Sequence, residues 1–123
     1  MILSEPQVTV LIVEDETLVR MLGVDMLEEA GFIVHEADGA DEALIILDAK
    51  DGIDLLFSDV DMPGSMDGME LARLVHQRWP AVRILLTSGH HRLSESGLPD
   101  GGRFLRKPWT QTSMIDKVRM ALA

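Results

Sequence analysis

LLFSDVDMPGSMDG, residues 55–68, is the stretch on which the fold turns. An apolar run from Ile53 to Phe57 leads straight into Ser58 and Asp59, and then into a loop carrying Asp61, Pro63, Gly64 and Gly68. A short apolar run that stops at turn residues and lies between two longer helical patterns reads as a buried parallel strand. Such a strand carries a carboxylate to its own C-terminal end, where α/β sheets gather ligands and chemistry. Asp59 is therefore the residue to explain. The plainer account makes it a loop aspartate that caps the next helix, and this stretch by itself leaves both accounts standing.

The flanking chain repeats the pattern. Residues 1–7 contain Pro6 and read as a short arm outside the fold, which leaves residues 8–123 as one domain. Val8–Val13 is a run of β-branched residues and leucine that stops at Glu14 and Asp15. From Glu16 to Ala30 apolar residues recur at helical spacing through Val19, Leu22, Met26 and Ala30, with Gly31 as the stop signal. Leu18, Met21 and Val24 widen that stripe; burial is the favoured reason, with Leu18 and Met21 as candidates for contact with a partner. Phe32–Ala37 reads as a second strand and Ala40–Lys50 as a helix with Ala43, Leu44 and Leu47 inward. Asp67 begins a helix that runs through Leu71, Leu74 and Val75 to Trp79, where Pro80 ends it.

Val82–Thr87 is the fourth strand, closing on Thr87, Ser88 and Gly89. Between His90 and Gly102 the glycines and Pro99 leave at most a short, irregular fourth helix around Arg92–Ser96. Arg103–Arg106 is the last strand, ending in Lys107 and Pro108, and Thr110 caps a final helix with Met114, Ile115, Val118 and Leu122 inward. Five strands alternating with up to five helices, with no linker or repeat between them, give an α/β fold. The expected form is a flavodoxin-like, doubly wound parallel sheet in the order 2-1-3-4-5 with helices on both faces.

Composition narrows the function. A chain of 123 residues that is 46% hydrophobic is long enough to bury a core. It has no cysteine, so disulfides, thiolate metal sites and cysteine nucleophiles are excluded together. The apolar runs are too short to span a bilayer, and a cytoplasmic location with no membrane attachment is expected. The formal net charge of −10 repels phosphate backbones, which argues against direct nucleic-acid binding. The four histidines, His35, His76, His90 and His91, form no convincing metal set.

In the order 2-1-3-4-5 the first, third, fourth and fifth strands are contiguous, so Glu14, Asp15, Asp59, Thr87 and Lys107 converge on one crevice. Clustered carboxylates cannot all stay charged without compensation. Mg²⁺ suits the site because it prefers oxygen ligands and keeps several waters. Asp15 and Asp59 are the expected direct ligands, with the main-chain carbonyl of Asp61 as a third and Glu14 acting mainly through water. Beside a cation, Asp59 can attack a phosphoryl group, and Lys107 and the Thr87 hydroxyl can stabilise its equatorial oxygens. Singly, a lysine before proline or a threonine at a strand end is unremarkable; with two acidic strand ends they form a set.

IVEDE at 12–16, SDVDMPG and MDG within 58–68, LLTSG at 85–89 and RFLRKP at 103–108, in this order, resemble the response regulator receiver domain of two-component signalling from Val8 through the last helix. That resemblance implies Asp59 as phosphoacceptor, Glu14 and Asp15 as metal-site acids, Thr87 as switch hydroxyl and Lys107 as the phosphate-binding lysine. Phe104 matches the aromatic switch position, against the plainer reading of a core aromatic. Three departures stand out: Glu14 replaces the commoner aspartate, one extra residue lies between Pro63 and Met66, and the fourth helix is degraded.

A stand-alone receiver is therefore expected, accepting phosphate on Asp59 from a sensor histidine kinase or a histidine phosphotransfer protein. It signals to a downstream protein target, with homodimerisation and a phosphate-sink role left open, and does not act as a turnover enzyme. The competing enzyme reading is a haloacid-dehalogenase-like phosphatase using Asp59 and Asp61 as its DxD, against which Met62 and Pro63 stand where that family prefers glycine and threonine. A Toprim-like metal site leaves Thr87 and Lys107 unexplained. A receiver-like binding module that is never phosphorylated leaves Asp59, Thr87 and Lys107 without a purpose.

Overall fold

A computed structural model describes residues 7–89 and 103–123. The elements are β1 (Thr9–Val13), α1 (Thr17–Glu29), β2 (Ile33–Ala37), α2 (Ala40–Ala49), β3 (Leu55–Asp59), α3 (Gly68–Arg78), β4 (Arg83–Ser88), β5 (Arg103–Arg106) and α4 (Gln111–Leu122). The strands form one sheet in the order β2-β1-β3-β4-β5, and every pairing is parallel. This is the expected doubly wound arrangement. The helix expected around 92–96, His90, His91 and residues 1–6 lie outside the described residues.

Burial follows from topology. All five residues of β3 are buried, because β1 and β4 flank it and helices cover both its faces. On one face Leu11, Val13, Leu56 and Leu86 pack with Ala43 and Leu47 of α2 and Leu71, Ala72 and Val75 of α3, with Phe104 partly buried against them. On the other, Val10, Ile12, Phe57 and Leu85 pack with Leu27 of α1 and Met114, Ile115 and Val118 of α4. Two helices are capped as their sequences imply. Asp67 and Glu70 form a reciprocal capping box on α3, and Thr110 with Ser113 does the same on α4.

The inward stripe of α1 differs from the sequence expectation. Leu22 is 48% exposed, and the buried residues of the helix are Gly23 and Leu27. Gly23 is where α1 approaches the sheet: a Cβ there would sit 2.5 Å from Ile12 Cδ1 and 3.0 Å from the Trp109 ring. Close approach on a glycine rotates the helix so that Leu22 turns outward, while Val19, Val24, Met26 and Ala30 stay partly buried against the core. Leu18 is 80% and Met21 53% exposed. In α4 the inward row closes on Ala121 rather than on Leu122, which is only partly buried.

Candidate functional site

Parallel strands place their C-terminal ends on one edge, and the register brings particular residues side by side. Asp59 is the direct partner of Thr87 across β3 and β4, and the Val60 N–H donates to the Thr87 carbonyl oxygen at 2.9 Å just past the strand end. The Lys107 N–H donates to the Ser88 carbonyl oxygen at 3.1 Å, which extends the β4–β5 ladder by one step. Glu14 follows β1 and is fixed from several sides. Its N–H donates to the Ala37 carbonyl oxygen at 3.1 Å, its own carbonyl accepts from Arg20 Nη1 at 2.8 Å, and its Oε2 accepts from the Glu16 N–H at 3.0 Å.

Lys107 joins these strand ends. Its Nζ donates to Glu14 Oε1 at 2.5 Å and to Asp59 Oδ2 at 3.2 Å. The Glu14 and Asp59 side chains are 1% and 5% exposed, so water contributes little to holding their charge. Burial accordingly pushes both carboxyls above their ordinary values, against the pull of Lys107 and of backbone N–H groups. Burial acts on Lys107 in the opposite sense, but hydrogen bonding to Glu14 and the charges of Asp59 and Glu14 outweigh it and raise its pKa. One cation is thus shared between two buried acids.

Glu14, Asp15 and Asp59 each present a carboxylate oxygen within 4.8 Å of the others. That oxygen-only donor set fits a hard divalent cation. A cavity of about 230 Å³ opens over it, lined by Asp15, Glu16, Val19, Asp59, Asp61, Gly89 and Lys107. The longer loop after Asp59 does not remove Asp61 from this wall. Its extra length projects away at Pro63–Ser65, where Gly64 takes φ +109° and Ser65 Oγ donates to Asp41 Oδ1 at 2.8 Å. Asp61 is held at both ends: its N–H donates to Asp59 Oδ1 at 3.3 Å and its Oδ2 accepts from Ser88 Oγ at 3.0 Å. Gly68 closes the loop from below, donating its N–H to the Val60 carbonyl oxygen, where any Cβ would collide with the carbonyl of Asp59.

The site residues expected from sequence therefore meet at one edge, apart from Phe104, which packs on the far face of the sheet. Two partners were not anticipated. Ser88 anchors Asp61, and Trp109 Nε1 donates to the buried Thr87 Oγ1 at 2.9 Å. The available signal for Trp109 was a large aromatic directly after the Lys-Pro pair that ends β5.

Residues 10–119 match the family model described as response regulator receiver domain. The chain is 38% identical over 118 residues to the sensor kinase CckA of Brucella abortus, covering 93% of this chain and 12% of that kinase. It is 29% identical to the response regulator receiver protein CpdR of the same organism, covering 92% of this chain and 95% of that one. Among solved structures, a response regulator receiver protein from Sinorhizobium medicae superposes with a TM-score of 0.84 at 30% identity, over 94% of each chain. The chain spans only 25–26% of two transcriptional regulatory proteins that it also resembles.

Proposed function

This chain belongs to the response regulator receiver domain family, and from that premise we propose that it accepts a phosphoryl group on Asp59 from a phosphohistidine of a sensor kinase or phosphotransfer protein. A phosphorelay role is what the family match and the receiver relatives support. The observation that carries the residue assignment is the position of Lys107, whose ammonium touches the Asp59 carboxylate at the mouth of the cavity.

In the reaction one carboxylate oxygen of Asp59 attacks phosphorus, the P–N bond to the donor imidazole breaks, and the departing imidazole carries away the bonding pair. Lys107 binds a phosphoryl oxygen, and the Thr87 hydroxyl donates to another. Glu14 and Asp15, with Asp59 and the carbonyl of Asp61, would hold Mg²⁺, whose chemistry there is to neutralise charge on the phosphoryl oxygens and the acids. Phe104 follows Thr87 in repacking the face to which β5 and the last helix contribute, and that face meets the downstream target. The domain passes a signal and does not turn over a substrate. The phosphatase alternative needs Asp61 as a general acid, and against it Met62 and Pro63 stand where that family prefers glycine and threonine.

Intact-mass measurement after incubation with acetyl phosphate tests this. A gain of one phosphoryl mass that requires Mg²⁺ and is absent in Asp59→Asn is expected. No adduct, or continuous release of phosphate from a phosphomonoester, would refute it.

A further inference from the structure

Trp109 is 7% exposed and sits at a junction. Its ring packs on Phe57 of β3 with centroids 5.3 Å apart, underlies α1 at Gly23, and lies 5.6 Å from Lys107 Nζ. Within this packing its Nε1 donates to Thr87 Oγ1 at 2.9 Å. An indole nitrogen can only donate, so this bond fixes the polarity of the hydroxyl. The threonine oxygen is the acceptor, and its proton is left to be given to something else. Thr87 is 1% exposed and is the register partner of Asp59, with both side chains on the same face of the sheet.

We propose that Trp109 is a positioning residue for phosphoryl transfer: its N–H occupies a lone pair of Thr87, so that the hydroxyl presents its proton to a phosphoryl oxygen on Asp59. The inference rests on Asp59 being the phosphoacceptor. A phenyl ring in the same place would keep a ring on Phe57 but lose the Cζ3 and Cη2 atoms that lie nearest Gly23, and it would release the hydroxyl to take other rotamers, from which its proton is not aimed at the phosphoryl group.

The test measures the rate of Asp59 phosphorylation by acetyl phosphate with Mg²⁺, followed by intact mass, in wild type, Trp109→Phe, Thr87→Val and the double variant. Trp109→Phe should slow the reaction about fivefold when residue 87 is threonine, the size of one ordinary hydrogen bond, and should have no effect when residue 87 is valine. Equal slowing in both backgrounds would mean that Trp109 acts by packing; no slowing, or acceleration, would mean that the bond is idle or restrains Thr87. Each of these overturns the proposal. Failure of wild type to gain the phosphoryl mass would instead refute the assignment of Asp59.

A second measurement does not depend on the folding of Trp109→Phe. In a Trp79→Phe background, where Trp109 is the sole emitter, Thr87→Val should shift the emission to the blue and Thr87→Ser should leave it in place. An unchanged spectrum in Thr87→Val overturns the bond on which the proposal stands.

Discussion

Lys107 is hydrogen-bonded to both buried acids, so its removal tests how much of the site depends on one charge. Taking one partner from a buried ionic set leaves the others uncompensated, and proton uptake by Glu14 or Asp59 recovers part of that loss. Lys107→Met should lower the unfolding free energy in cation-free buffer by about 2–4 kcal/mol, read from urea denaturation at neutral pH. Mg²⁺ should restore much of the stability without restoring the rate of phosphorylation, since the cation replaces the charge but not the donor proposed for the phosphoryl oxygen. At this scale the sequence was informative where a strand end carries an unusual residue, as at Glu14, Asp59 and Lys107. It was silent about Trp109, because an aromatic after a proline looks the same whether its indole N–H meets water or the Thr87 hydroxyl.

Secondary structure was legible wherever local chemistry sets it. Asp67 and Thr110 announce their helices because each carries its own cap, and the apolar runs of β1, β3 and β4 stop at the polar residues that end them. The orientation of α1 was not legible, because the residue nearest the sheet is Gly23, which adds nothing to a hydropathy pattern. Gly23→Ala should therefore destabilise the domain by about 1–3 kcal/mol through overpacking against Ile12 and Trp109. Leu18→Ser, on the exposed face of the same helix, should change stability by less than about 0.5 kcal/mol. Urea unfolding of the two variants side by side checks the orientation of the helix. Equal losses would place Leu18 against the core.

For the molecule as a whole, acid content and pH act through the same cluster. Burial raises Asp59 from 3.8 and Glu14 from 4.5, so the folded protein holds protons there more tightly than the unfolded chain does. Their contribution to stability is in full force below those ordinary values and is lost as pH rises through the raised ones, while Lys107, itself raised, stays charged throughout. Without cation, Asp59→Asn should thus raise the thermal midpoint, by an amount that grows as pH rises above the ordinary carboxyl value of 3.8 and through the raised one. The stabilisation of wild type by Mg²⁺ should grow over the same interval and be largely lost in the variant; differential scanning calorimetry across that range reads both. The strand order, legible from alternating patterns and handed crossovers, has one more consequence. Lys107 reaches Glu14 across 93 positions of chain and Asp59 across 48. Nothing local brings these groups together, and they meet only once β1, β3 and β5 have taken their places in the sheet. A chain still folding, or still emerging from the ribosome, holds Asp59 without its lysine and has no cavity to receive a phosphoryl group. Competence for the proposed phosphoryl transfer thus arrives only with the docking of β5, so that phosphate would not be spent on an unfinished molecule.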